Sequence, residues 1–112
     1  MTYTNELLMW LAENIMKWKW NNTLSAYVPN SDSYTINDIV FKEKWRPDID
    51  RNQLAELLLM IPDDKWLDVE IRVLQEYRGH KGIVKYFLTI NPLIVCKMIY
   101  EACNRIEAYN RL

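Results

Sequence analysis

Lys17-Trp18-Lys19-Trp20 interleaves two cations with two indoles. Such a pattern can hold phosphates while the rings stack on bases or nucleotides. Lys42, Lys44 and Arg46 alternate along the chain, with Trp45 beside them. In an extended segment the three cations share one face, able to meet an anion at the start of a following helix, where N–H groups point outward. Each set also has a plainer reading. Tryptophans cover a sheet or a helix end while lysine heads reach into water, and charge along an edge strand protects it from pairing. Phosphate-driven affinity grows with the number of cations, and both sets are small.

The other candidates have structural roles at hand. His80 is the single histidine and sits between Gly79 and Lys81, the setting of a loop tip rather than of a base held in a pocket. Asp48 and Asp50 have the spacing of paired carboxylates for acid–base work or a divalent cation, and equally of helix caps. Asp63-Asp64 reads as a turn. Two glycines in one short stretch cannot build a phosphate loop. Cys96 and Cys103 fall on one helix face about 10 Å apart, too far for a disulfide, and lack the short paired spacing of a zinc site. The reading is therefore no catalytic set, no metal and no cofactor.

Composition narrows the class. The chain has 112 residues, half of them hydrophobic, with five tryptophans and seven tyrosines. That length suits one domain over 1–112, with apolar surface enough to offset the lost chain entropy. Fourteen basic and fifteen acidic side chains leave a net charge of −1, so no global field steers the chain onto nucleic acid or an anionic membrane. No apolar run reaches the roughly 20 residues of a bilayer span. Glu6 and Glu13 flank the first apolar stretch, unlike a signal peptide. Two unpaired cysteines fit a reducing compartment, so the expected location is the cytoplasm.

The elements that must position these residues follow from periodicity. Leu8, Leu11, Ala12 and Ile15 give a helical stripe over about 4–18. Short strands are expected within 23–45, at Leu24 to Val28 and Tyr34 to Ile36, with Ile39-Val40-Phe41 as an extension. Leu54, Leu57, Leu58 and Ile61 mark a second helix over 50–61, entered through an Asp50/Gln53 capping box and stopped by Pro62. From Trp66 the period changes to two: Leu67, Val69, Ile71 and Val73 alternate with Asp68, Glu70 and Arg72. A turn at 78–82 and Val84, Tyr86, Leu88 and Ile90 complete an expected hairpin over 66–90. Asn91-Pro92 opens a third helix over about 92–109. The class is α+β, an antiparallel sheet layered with three helices.

Three stretches carry a resemblance to a family. Ile15 to Lys19 resembles the close of the first helix of the phage ABA sandwich domain, a group of small phage and prophage proteins. Trp45-Arg46-Pro47-Asp48-Ile49-Asp50, within Phe41 to Ile61, is similar to its entry to a second helix. Asn91-Pro92-Leu93-Ile94-Val95-Cys96 resembles the opening of its last helix. The sequence departs in having Lys17 where the family often has a small residue, and Asp48 in place of Ser or Thr. The resemblance implies an α-β-α sandwich of phage or prophage origin, working in the host cytoplasm, and no catalytic residues.

The functional expectation is a non-enzymatic domain acting through an aromatic-rich surface on a protein partner, a host or phage protein or a second copy of itself. The candidate surface is Lys17, Trp18, Lys19, Trp20, Lys42, Lys44, Trp45 and Arg46. The alternative is a nucleotide or nucleic-acid module, and a small enzyme comes third.

Overall fold

The computed structural model describes residues 3–31, 33–77 and 90–110. Helix α1 runs Tyr3–Asn14 and buries Leu7, Leu8, Leu11, Ala12 and Ile15 on one stripe. It stops four residues before the expected end at 18. The N–H groups of Ile15 and Met16 both bond the Leu11 carbonyl, at 2.9 and 3.1 Å. Lys17 then takes a left-handed φ of 62°, a conformation that turns the chain out of the helix.

Trp18–Asn21 is therefore strand β1 rather than a helix end. It pairs antiparallel with β2 (Ala26–Pro29), bringing Trp18 opposite Pro29 and Trp20 opposite Tyr27. The connecting turn is tied by the Leu24 N–H on Asn21 Oδ1 at 3.0 Å, with Ser25 at φ 51°. Strand β3 is only Val40–Phe41, paired antiparallel to β2 with Tyr27 opposite Val40. The sheet order is β1-β2-β3. Residues 34–36 form no strand. Ile36–Asp38 is instead a 3-10 turn, closed by the Thr35 N–H on Asp38 Oδ2 at 2.9 Å.

Helix α2 spans Arg51–Leu59 under an Asp50 cap whose carboxylate accepts from the Asn52 and Gln53 N–H groups. The reciprocal half of the expected box is absent. Gln53 turns back to the preceding loop, donating to the Lys44 carbonyl at 2.6 Å and accepting from the Arg46 N–H.

The largest correction concerns 66–90. Asp63–Tyr77 is one helix, α3, where the first strand of a hairpin was expected. Pro62 ends α2 and starts α3, its carbonyl accepting from Lys65 and Trp66, and Asp63-Asp64 stands where a helix dipole favours negative charge. Val69 and Val73, one turn apart, are the buried residues of α3. Arg72 ties the helix to Glu101 at 3.3 Å and also meets Asp68, one turn back in the same helix, at 3.5 Å. The glycine turn with His80 and the return strand up to residue 89 lie outside the described residues.

Helix α4, Pro92–Asn110, starts as its sequence predicts, with Asn91 Oδ1 accepting from the Leu93 N–H at 3.0 Å. The described chain is thus α+β, with four helices and a three-stranded antiparallel sheet. Helix α1 lies between β1 and α4, and α4 also carries α2 and α3. The core gathers where they converge, around the fully buried Leu11, Leu57, Val69, Cys96 and Ile99. Among the described residues no helix is long and apolar enough to cross a membrane.

Candidate functional site

The two candidate segments meet through their rings. Alternation along β1 puts Trp18 and Trp20 on one face, half-buried against the core, and leaves Lys19 in water on the other. Trp45 enters from the loop before α2, its ring centroid 5.2 Å from that of Trp18 at an interplanar angle of 72°. Tyr27 of β2 completes the cluster, with its centroid 6.0 Å from Trp45, 6.0 Å from Trp18 and 5.1 Å from Trp20. Edge-to-face geometry sets the positive rim of one ring against the negative face of the next. Trp45 is buried and its indole N–H has no hydrogen-bond partner. Trp20 satisfies its own N–H on Asn22 Oδ1 at 2.7 Å.

Beside this cluster lies a cleft of about 330 Å³ lined by Asn5, Leu8, Tyr27, Lys42, Glu43, Trp45 and Arg46. Three of the eight sequence candidates, Lys42, Trp45 and Arg46, reach it. Lys17, Lys19 and Lys44 do not line it and are solvent-exposed. The shared cationic face expected of Lys42, Lys44 and Arg46 is not formed, because Lys42–Lys44 is a 3-10 turn rather than an extended segment. A three-residue turn fans side chains in different directions, where a strand would align every second one.

Arg46 is already committed. Its Nε donates to Asp48 Oδ1 at 2.9 Å and its Nη2 to Oδ2 at 2.8 Å, the two-pronged match of guanidinium to carboxylate. Asp48 is 4% exposed, so it is an ion-pair partner rather than the rival helix cap its position suggested. The hydrogen bond to Asp48 raises the Arg46 pKa, fixing the cation more firmly. The cleft is lined by two cations, Lys42 and Arg46, and one anion, Glu43, with Arg46 neutralised by the buried Asp48.

Burial, then the charge of Glu13, pushes the Tyr27 phenol up from its ordinary value. Burial, then the charge of Asp48, pushes the Cys96 thiol up to about 12. Such a thiol is a core residue rather than a nucleophile, since the thiolate is the reactive form. Cys96 and Cys103 are both buried and not joined in a disulfide. Among the described residues no group of three or more His, Cys, Asp or Glu could hold a metal.

Asn5, Leu8, Tyr27 and Glu43 were missed by sequence reasoning. Leu8 had a signal as a member of the helical stripe, and Tyr27 as a residue of an expected strand. Asn5 and Leu8 reach the cleft only because α1 folds back along β1. No protein-family model, curated protein or solved structure matches the chain.

Proposed function

We propose that this protein is a small binding domain of phage or prophage origin that holds a segment of a protein partner in the cleft at Trp45. The partner is a host or phage protein, or a second copy of the chain, met in the cytoplasm. The observation that supports this reading is the cleft's mixed lining: an aromatic floor of Tyr27 and Trp45 with Lys42, Glu43 and an Arg46 already neutralised by the buried Asp48. A polypeptide offers apolar side chains and both signs of charge to such a rim. A polyanion gains affinity from uncompensated cations, and the Arg46 guanidinium is occupied by Asp48. The inward packing of Trp18 and Trp20 also removes the stacking platform that a nucleic-acid reading requires.

A photo-crosslinking residue at position 42, with a control at exposed Thr23, tests the reading in host lysate. The expected outcome is one or more discrete protein adducts, self-adducts included, at position 42 and none at 23. Absence of protein adducts at 42, or tryptophan quenching by nucleotides or single-stranded DNA at low salt, would overturn it.

A further inference from the structure

A second cavity, of about 250 Å³, opens between α2, α3 and the start of α4, and shares no lining residue with the cleft. Its walls are Leu54, Leu58, Val69, Val73 and Val95, with Trp66 and Ala55 also lining it. Among the described residues, Arg51 and Glu70 are the charged ones that line it. The Arg51 guanidinium donates to the Ile90 carbonyl at 2.6 Å, pinning the first turn of α2 to the residue ahead of α4's cap.

We propose that this cavity binds a small, neutral, flat apolar molecule of about the size of indole. A cavity of about 150 Å³ lined by aliphatic side chains stays dry and accepts benzene, so the larger space suits a fused pair of rings. Aliphatic walls give a water too few polar partners to hold it, and displacing surface water from an apolar ligand supplies the binding energy. A charged ligand would have to give up its hydration among aliphatic walls, so a neutral one is favoured.

Indole itself is the probe. Titrated into the ¹⁵N-labelled protein, it shifts the side-chain N–H resonance of Trp66, assigned through Trp66→Phe, and raises the melting temperature in proportion to occupancy. Ala55 is exposed at the lining, so Ala55→Phe narrows the cavity without disturbing the core and weakens indole binding at least tenfold. Leu58→Phe, at a half-buried position, serves the same purpose and reads the same way. No response of the wild-type protein up to the solubility of indole overturns the proposal. So does equal binding by both variants, or a shift confined to Trp18, Trp20 and Trp45, which places the ligand in the cleft instead.

Discussion

Trp18 and Trp45, 27 positions apart, pack edge to face at 5.2 Å and join strand β1 to the loop that enters α2. The contact links the strand to the loop, and Tyr27 of β2 packs against both rings. A double-mutant cycle of Trp18→Leu and Trp45→Leu, read by urea unfolding, is expected to show a coupling of about 0.5–1.5 kcal/mol. Strict additivity would mean that the two rings merely share a core. Trp45→Phe should cost less than the lost area suggests, because it also removes a buried N–H without an acceptor.

The Arg46–Asp48 pair joins a half-exposed cation to a buried anion. Removing the cation strands the anion, whereas neutralising the anion leaves Arg46 able to reach water. Arg46→Met is accordingly expected to destabilise by about 2 kcal/mol, with Asp48→Asn costing less. Chemical denaturation in low and high salt checks both. The Arg46→Met cost should change little with salt, since screening acts weakly on a pair buried on one side.

Cys96 couples stability to alkaline pH. Its folded pKa of about 12 stands above the ordinary thiol value of 9.0. Above 9 the unfolded chain releases this proton while the folded chain keeps it, so stability falls as pH rises. The contribution is complete below about 9 and is lost between 9 and about 12. The raised Tyr27 phenol acts in the same direction. Cys96→Ala should flatten the decline in unfolding free energy over this window. In the native protein at pH 8, reaction of both thiols with a disulfide reagent should proceed at the rate of opening, and a fast phase would contradict the burial.

Lys17 occupies a left-handed conformation at φ 62°. A side chain there costs roughly 1–2 kcal/mol relative to the ordinary regions, a penalty glycine escapes at some cost in unfolded-chain entropy. Lys17→Gly is therefore expected to stabilise by about 0.5–1 kcal/mol, while Lys19→Gly, inside β1, should destabilise. Opposite signs for two exposed lysines would separate backbone strain from charge, and thermal unfolding reads both.

Much of the architecture was legible because its signals are local. Asp50 and Asn91 cap helices where their side chains reach N–H groups two or three residues on, and Pro62 breaks a helix wherever it occurs. The stripes of α1 and α2 repeat at helical spacing, and Leu8, Leu11, Ala12, Ile15, Leu54, Leu57 and Ile61 are buried, with Leu58 half-buried. Leu67 to Val73 misled because alternating β-branched residues satisfy a strand, while Val69 and Val73 also stand one helical turn apart. Pro62-Asp63-Asp64 was the local sign of a helix start, read instead as a turn. Lys17 to Trp20 misled in the opposite sense, its alternation being that of a strand attached to a helix.

By itself the sequence determined where three helices begin, which faces they bury and that the cysteines are core. Tertiary structure alone decided that 63–77 is helical, that Arg46 is tied to Asp48, and that Tyr27 bridges the two tryptophan segments. The division has one physical cause. Caps, prolines and periodic stripes act within a turn or two of chain. A segment with two acceptable periods is settled by the surface it must cover, and for α3 that surface is α4. A cleft is likewise a property of elements distant in the chain: α1, β2 and the loop before α2 enclose it only once they have packed.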